Sequence, residues 1–502
     1  MALILSLISD HILTLLVTTV TFVLWWVSQR RRKQPAPGPW AWPLVGHLFL
    51  LMRGDKRELF RKLRAQYGDL VGLSVGRQSI LVVSGSNMLR EVFVKLGKHF
   101  DKRPQVFTVQ KVGQGKAVVN SSGDVWKEHR AFLLRFMSQA GIGKTTFEAN
   151  VLEELRPLIK LLESTRGAEF DPRYCIQTAV SNIICSISFG QRFDHEDLEF
   201  KELLNIFDEN MKVSGATALV NYFPFLEYLP GDLFKCRLCL DNVAKVQRIL
   251  DTWIKRHVST LDASEPRDFI DHYVLEMREK VKANSHTTMD DGQLLKFVGD
   301  LLVAGTETSA TTLRWMLIFL VHHEDVQQTM YREIEKTLDG RAQLSILDKK
   351  KMPYTEAVIL EGQRLGDIAP FSLPHATTEP VKVGDYVVPS GTLVIPNLNS
   401  VHLDPELWEN PNEFKPSRFL NGAGEVVRDT EILPFFQGPR MCPGRGLARL
   451  ELFLFLTSIV QHFQLLPSES EGLPRLDGHV GITYVPFPHR IRFVKRTLRG
   501  EE

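Results

Sequence analysis

The stretch from Phe435 to Ala448 reads FFQGPRMCPGRGLA and places one cysteine, Cys442, between a turn and a helix. Its glycines and prolines predict a tight turn, and the apolar residues after it predict a helix over 444–463. Unpaired amides and the positive end of a helix favour the thiolate form of a cysteine. The glycines let a flat macrocycle approach the backbone closely. Taken alone, the element is also compatible with a cysteine that caps an ordinary loop.

The whole string resembles the haem-binding signature F-x-x-G-x-R-x-C-x-G of the cytochrome P-450 family. The five specified positions are matched by Phe435, Gly438, Arg440, Cys442 and Gly444. The resemblance implies that Cys442 is the axial thiolate ligand of haem b and that the other four residues form part of the cofactor site. An axial thiolate donates electron density that favours cleavage of the O–O bond.

Hydrophobic periodicity along the rest of the chain predicts an α+β fold dominated by helix. The strongest pattern, 293–322, is apolar on most sides and predicts a buried central helix, which the resemblance places over the haem. Further helices are predicted at 58–67, 147–162, 178–189, 242–259 and 269–280. Short strands, which imply small β-sheets, are predicted at 70–75, 80–83, 381–388 and 392–396.

The long helix contains the sequence AGTET at 304–308. Ala304 and Thr308 are four residues apart and share one face, so the Thr308 hydroxyl can donate to the Ala304 carbonyl and loosen the helix locally. Gly305 is expected to give a ligand close access. The segment resembles the family's oxygen-activation motif, which implies that Thr308 and Glu307 are catalytic and deliver protons. Without the family, a Glu-Thr pair is most often a surface feature of a helix.

Two further segments resemble family motifs with a structural role. Glu361 and Arg364 lie one turn apart on a predicted helix, which is weak evidence alone. The segment FKPSRF at 414–419 resembles the family's P-x-R-F element and contributes Arg418. The resemblance implies a buried cluster of Glu361, Arg364 and Arg418 that fixes the helix to the irregular stretch before the cysteine.

The segment WKEHR, which contains Trp126 and Arg130, is similar to the family's W-x-x-x-R motif. On one helix face the two residues offer an indole donor and a cation, which the resemblance assigns to a haem propionate. By the same resemblance Arg103, His375 and Arg440 are further propionate partners. A lone histidine such as His375 is also frequent as a structural residue.

The resemblance to the family also implies which residues line a substrate pocket, and nearly all of them are apolar. They are Phe297, Val298, Leu301, Ala304, Phe371, Leu373 and Val485. Such a lining implies a lipophilic substrate, and it leaves fatty acids, steroids and xenobiotics equally open.

The N-terminal segment is apolar from residue 3 to residue 27 and is followed by three arginines and a lysine at 30–33. This length and the basic flank predict a single membrane-spanning anchor over 1–33, with everything downstream in the cytosol. A buried helix is the alternative. The prolines that follow predict a stiff hinge at 34–44, and 45–502 is expected to form one catalytic domain. Within the family, these features resemble the animal microsomal class of the endoplasmic reticulum, which metabolises drugs and steroids.

Composition sets limits on other functions. The chain has 502 residues, with 61 Lys+Arg against 59 Asp+Glu. The resulting net charge of +2 is too small to indicate binding to nucleic acid. Five cysteines cannot form a disulfide framework, and Cys236 and Cys239 are expected to be packing residues of a helix.

The leading hypothesis is a haem-thiolate monooxygenase that inserts one oxygen atom of O2 into a lipophilic substrate. The sequence has no dinucleotide or flavin fingerprint, so electrons must come from a separate protein. The resemblance implies the NADPH-dependent P-450 reductase, with cytochrome b5 as a second candidate donor. The basic residues expected at the docking face are Lys127, Arg135, Arg445 and Arg449. The alternatives are a haem-thiolate isomerase or dehydratase that acts on peroxides, and a membrane-anchored haem protein without turnover.

Overall fold

The computed structural model describes residues 11–12, 14–23, 25, 35–194, 197–428 and 430–496. Most of the predicted anchor, residues 1–33, lies outside these ranges. Among the helices described, none has the length and hydropathy that crossing a membrane requires.

The structure is predominantly helical, with several small sheets. From residue 35 onward, the α-helices of the described residues are α1 Leu48–Met52, α2 Lys56–Tyr67, α3 Ser86–Arg90, α4 Gly123–Gln139, α5 Glu148–Ser164, α6 Arg173–Phe189, α7 Leu198–Thr217, α8 Cys236–Val258, α9 Phe269–Lys282, α10 Asp291–His322, α11 Glu324–Leu338, α12 Pro353–Gly366, α13 Asn399–His402 and α14 Arg445–His462. The strands are β1 Leu70–Val75, β2 Gln78–Val83, β3 Glu169–Phe170, β4 His375–Ala376, β5 Val381–Val383, β6 Tyr386–Val388, β7 Leu393–Pro396, β8 Phe463–Pro467, β9 Gly478–Val480, β10 Tyr484–Pro486 and β11 Ile491–Lys495. The predicted fold class, α+β with helix dominant, is confirmed.

The chain divides into two compact units, and the first contains residues 1–104 and 373–397. Its main sheet has the strand order β1-β2-β7-β4. Strand β1 is antiparallel to β2, and β2 runs parallel to β7, with Ile80 opposite Leu393. The predicted strand at 381–388 is a hairpin, because Gly384 has a φ of +54° and turns the chain between β5 and β6.

The second unit contains residues 105–372 and 398–502 and is built around α10. This helix begins where the Asp290 side chain accepts a hydrogen bond from the Gln293 amide at 2.6 Å. It packs against α6, α12 and α14, and residues 309–321 are all buried. The prediction of a long, buried central helix is therefore confirmed, within two residues at its start.

Gly305 allows α10 to lie close to α6. A β-carbon at this position would lie 2.4 Å from Cδ1 of Ile184, so a larger residue would force that side chain to move. The α-carbon of Gly305 therefore faces a neighbouring helix, and the access of a ligand expected at this position stays a prediction.

Candidate active site

Cys442 lies in a turn that its own backbone stabilises. The Cys442 amide donates to the Phe435 carbonyl at 3.0 Å, and the Met441 amide donates to the Gly438 carbonyl at 3.0 Å. Gly438 has a φ of +80°, a conformation that favours glycine. A β-carbon on Gly444 would meet only the Cys442 sulfur, at 3.9 Å, so the backbone beside that sulfur is open.

Cys442 is half-buried, whereas the other four cysteines are buried. Burial is the largest influence on the pKa of its thiol and raises it. The Gly444 amide and the charges of Arg130 and Arg445 act in the opposite direction and favour the thiolate. Cys442 is thus the cysteine available for ligation, and Cys236 and Cys239 are buried in the first turn of α8, as expected of packing residues.

Three side chains meet beside this turn. Arg130, on α4, donates to the Met441 carbonyl at 2.7 Å. Arg440 lies over the Trp126 ring at 4.0 Å and donates to the Ser121 carbonyl at 2.7 Å. The Trp126 indole nitrogen is buried and has no hydrogen-bond partner in the described structure. A buried donor between two cations is a site that an anionic acceptor satisfies.

In the first unit, Arg103 contacts the residue that precedes His375. Arg103 donates from Nη1 to the Pro374 carbonyl at 2.8 Å, next to His375. The His375 Nδ1 lies 2.6 Å from the Phe100 carbonyl, which can only accept, so Nδ1 is the protonated nitrogen. His375 is buried at the start of β4 against Phe93.

One face of α10 is open although the helix runs through the core. Ala304 is exposed, and Leu301 and Thr308 on the same face are half-buried. The Thr308 hydroxyl donates to the Ala304 carbonyl at 2.6 Å, and the helix continues without a break through this bond. One residue later, Ser309 donates to Glu451 of α14 at 2.6 Å and joins this helix to the one that follows Cys442.

Glu307 points away from the Thr308 hydroxyl. Its carboxylate accepts from Thr311 at 3.0 Å and lies 3.5 Å from both Gln177 Nε2 and Thr483 Oγ1. Burial raises the pKa of this carboxyl above its ordinary value, and the negative charge of Asp208 adds to the effect. The structure therefore gives Glu307 a proton-binding environment on the side of α10 that faces α6.

Comparison with known proteins identifies the family to which this arrangement belongs. Residues 35–493 match the family described as Cytochrome P450. The chain belongs to the cytochrome P450 family. It is 36% identical to cytochrome P450 2U1 of Homo sapiens over 498 residues, which cover 94% of this chain and 91% of that protein. It is 36% identical to cytochrome P450 2J3 of Rattus norvegicus, covering 97% of each chain. It is 35% identical to cytochrome P450 2H2 of Gallus gallus, covering 97% of this chain and 98% of that one.

Membership makes the protein an oxidoreductase, a P450 monooxygenase whose cofactor is haem b with a cysteine thiolate ligand. The residues around Cys442 fit that group. Cys442 is half-buried beside open backbone. The Trp126 N–H, which has no hydrogen-bond partner among the described residues, is flanked by Arg130 and Arg440, which suits a carboxylate of the macrocycle.

The P450 motifs at Glu361 and Arg418 meet in a buried ion cluster. Arg364 donates to Glu361 at 2.7 and 2.8 Å, and Arg418 donates to the same carboxylate at 3.0 Å. Arg364 also donates to the carbonyls of His402 and Pro411. The cluster joins α12 to the stretch of chain that leads toward Cys442.

The nominated pocket residues occupy different environments. Phe297 and Val298 are buried in the core, where Phe297 packs against Phe132 and Phe269. The other nominated residues have solvent-accessible surface, and they are Leu301, Ala304, Phe371, Leu373 and Val485. Leu373 belongs to the first unit and the remaining ones to the second.

Three of the four nominated docking residues are exposed. They are Lys127, Arg135 and Arg445. Lys127 lies 3.4 Å from Asp124, and Arg135 lies 2.6 Å from Glu276. Arg449 is half-buried, with its guanidinium 5.9 Å from the centre of the Phe435 ring.

Sequence reasoning missed two polar contacts near the site. Glu451 is a lone acid in the apolar run LELFLFL, and that isolation was a signal that it is buried and has a specific partner. His402 accepts from the Leu433 amide at 2.9 Å and contacts Asp367 at 2.8 Å, which fixes the chain just before Phe435. Nothing in the local sequence pairs His402 with a residue so far away.

Proposed function

We propose that this P450 hydroxylates a lipophilic small molecule (a fatty acid, a steroid or a xenobiotic) with electrons from a separate NADPH-dependent reductase. The main observation behind the proposal is the open apolar face of α10 at Leu301 and Ala304. A hydrogen bond from Ser309 to Glu451 joins α10 to α14, the helix that follows Cys442. A site with apolar walls and few polar groups selects its ligand mainly by burial of apolar surface.

In this proposal Cys442 is the thiolate ligand of the haem. Trp126, Arg130 and Arg440 bind a propionate, with Arg103 and His375 as further partners, while Phe435, Gly438 and Gly444 shape the turn. The buried indole N–H, which has no partner in the part of the chain that the structure describes, and the two guanidinium groups beside it support this role. When bound, haem activates O2 so that one oxygen atom enters the substrate and the other becomes water.

That reaction consumes protons, which the chain must supply. Thr308 is proposed to orient water at the open face of α10, since its side chain is half-buried there. Glu307 is proposed as the proton source because burial favours its protonated form. The two side chains are adjacent in sequence but point to different sides of the helix, so water must connect them.

The electron donor is proposed to dock on the basic surface made by Lys127, Arg135 and Arg445. Exposed cations attract an acidic partner and accelerate association, and salt weakens this effect. Cytochrome b5 is proposed as a second donor for the same surface.

The protein is proposed to act at the endoplasmic reticulum membrane, held by the apolar segment 1–33 and the hinge 34–44, with its catalytic part in the cytosol. The segment 222–229 supports contact with a membrane surface. Phe225 is 63% exposed and Tyr228 is 78% exposed, which is unusual for large apolar side chains.

Reconstitution tests the proposal. The full-length protein in phospholipid vesicles with purified P450 reductase is given NADPH, O2 and a panel of fatty acids, steroids and xenobiotics. We expect haem spectral shifts with the best ligands and formation of a hydroxylated product that requires NADPH, O2 and the reductase. Conversion of a lipid hydroperoxide without reductase, in the absence of any hydroxylation, would contradict it.

A further inference from the structure

One buried histidine holds the chain that leads into the cysteine turn. His402, the last residue of α13, is 1% exposed. Its Nε2 accepts a hydrogen bond from the Leu433 amide at 2.9 Å, two residues before Phe435. A backbone amide nitrogen can only donate, so Nε2 carries no proton and the ring proton is on Nδ1. The contact therefore exists in only one tautomer of His402.

Asp367 selects that tautomer. It follows the end of α12, and its Oδ1 lies 2.8 Å from Nδ1 of His402. Its other oxygen accepts from Nδ2 of Asn399 at 2.6 Å, and all three side chains are buried. A carboxylate that accepts the Nδ1 proton fixes the tautomer and the orientation of an imidazole. Nε2 is thereby left as the acceptor for the chain before the turn.

The cysteine turn contains a backbone conformation that requires support. Phe436 has a φ of +61°, in the left-handed region that a bulky aromatic residue rarely adopts. Such a conformation persists only where the surrounding contacts fix it. The Phe436 amide donates to the Leu433 carbonyl at 3.1 Å. Leu433 is thus bonded on both sides, to the histidine through its amide and to the strained turn through its carbonyl.

Other contacts hold the same stretch of chain in place. Arg130 of α4 donates to the carbonyl of Met441 at 2.7 Å, one residue before Cys442. The His402 carbonyl accepts from Arg364 at 2.7 Å, which joins the histidine to the buried ion cluster of α12. The imidazole is therefore held by its backbone and by its Nδ1, and its Nε2 acts on the start of the turn.

We propose that Asp367 and His402 are positioning residues of the haem site, which act through the Leu433 amide to fix the place of the Cys442 sulfur. The proposal rests on the proposed role of Cys442 as the haem ligand and adds the contacts that hold the ligand in place. What the imidazole supplies is one acceptor at one position. A different side chain with an acceptor near that position should therefore restore part of the effect.

Four variants of the holoenzyme test the proposal. His402→Leu removes the acceptor for the Leu433 amide and keeps a large buried side chain. His402→Gln places an amide oxygen near the position of Nε2 and is the conservative rescue. Asp367→Asn turns an N–H toward Nδ1, which moves the ring proton to Nε2 and leaves the Leu433 amide opposite a donor. The matched control is His47→Leu, because His47 is 2% exposed, accepts the Ser74 amide at 2.9 Å and belongs to the first unit.

The first readout is hydrogen–deuterium exchange of the peptide that contains Leu433, which needs no turnover. Removing the partner of a buried amide costs enough free energy to raise its exchange rate by roughly tenfold or more. We expect this increase in His402→Leu and Asp367→Asn, a smaller one in His402→Gln and none in His47→Leu.

The second readout is the iron–sulfur stretching band in resonance Raman spectra of the ferric protein. We expect the band to shift and broaden in His402→Leu and Asp367→Asn, because the sulfur is no longer held in one place. The band should stay close to its normal position in His402→Gln and be unchanged in His47→Leu. The Tm of each variant is measured alongside, since a purely structural role would lower the Tm and leave the band unchanged.

The outcomes separate this proposal from the ligand role of Cys442. If His402→Leu and Asp367→Asn match His47→Leu in both readouts, the positioning role is wrong. If His402→Leu fails to take up haem, Asp367→Asn and His402→Gln decide, since each keeps a polar side chain in the site. A Cys442→Ser protein that keeps the iron–sulfur band would refute the ligand and the positioning role together. Loss of that band in Cys442→Ser, with no effect of the other variants, would refute the positioning role alone.

Discussion

Burial controls the chemistry of individual acidic residues near the site. Glu451 is 1% exposed and accepts one hydrogen bond, from Ser309, while its second oxygen has no partner in the described structure. A carboxylate in such a position is poorly solvated, and burial raises the pKa of Glu451 to about 8. The group is therefore mostly protonated at neutral pH and acts as a hydrogen-bonding spacer between α10 and α14.

The raised pKa of Glu451 predicts a specific pH dependence of stability. The folded protein binds this proton more tightly than the unfolded chain, so stability is full below the ordinary value of 4.5 and falls as the pH rises toward about 8. The loss can reach about 1.4 kcal/mol per pH unit. We expect Glu451→Gln to remove this slope and to raise the Tm at pH 8 but not at pH 4.5. Equal slopes in the two proteins, measured by thermal unfolding across that range, would disprove the assignment.

Thr308 is proposed to orient water for proton delivery at the open face of α10. Thr308→Ala removes a hydroxyl and leaves the apolar lining, so haem uptake, substrate binding and reduction should be nearly unchanged. Product per NADPH should decrease, by up to the 10²–10⁴-fold that a positioned proton donor contributes, with hydrogen peroxide rising to match. The measurement is the balance of NADPH, product and peroxide. The control is Thr312→Ala, which removes the same kind of hydroxyl bond one turn further along α10. Unchanged coupling would remove Thr308 from the proton path.

At the scale of elements, the buried cluster of Glu361, Arg364 and Arg418 holds α12 against the chain that precedes the cysteine turn. Removing one member of a buried ion cluster leaves an uncompensated charge and costs about 3–5 kcal/mol. We therefore expect Glu361→Gln to lower stability by that order and to weaken haem retention. Glu431→Gln, which disrupts the half-exposed pair with Arg428, should change neither. Denaturation curves and haem-loss rates measure both effects, and equal behaviour of the two variants would contradict a locking role.

The sequence predicted elements well where one local pattern dominates. The run of apolar residues predicted α10, and strand β1 was predicted residue for residue. Helices α7 and α11 were not predicted. Apolar residues of α11 recur at helical spacing, but which face of such a helix is buried depends on tertiary contacts. Gly305 shows the same limit at a single position, since only the folded structure reveals that Ile184 lies against it.

The sequence likewise predicted some features of the candidate site and not others. Motifs of adjacent residues located Cys442 and the long helix, and the resemblance located the ion cluster. The direction of a side chain does not follow from such motifs, so the orientation of Glu307 toward Gln177 required the structure. The burial of Phe297 likewise arises from aromatic partners on two other helices, α4 and α9.

At the scale of the whole molecule, the anchor and hinge are predicted to be separable from the catalytic part. The family match begins at residue 35, which is just after the proposed anchor. We expect a protein without residues 1–33 to fold, to take up haem and to bind phospholipid vesicles only weakly through the exposed 222–229 segment. Vesicle flotation and haem content measure this. A truncated protein unable to incorporate haem would show that the anchor is part of the fold.

Cys442 is proposed to supply the thiolate of the P450 haem centre, and the absorption spectrum of the reduced, carbon-monoxide-bound protein reports that ligation. The full-length protein should show the red-shifted Soret band of thiolate ligation. Cys442→Ser should retain most of its helical circular dichroism and lose that band, whereas Cys239→Ser, at a buried cysteine of α8, should retain it. Persistence of the red-shifted band in Cys442→Ser would show that Cys442 is not the haem ligand.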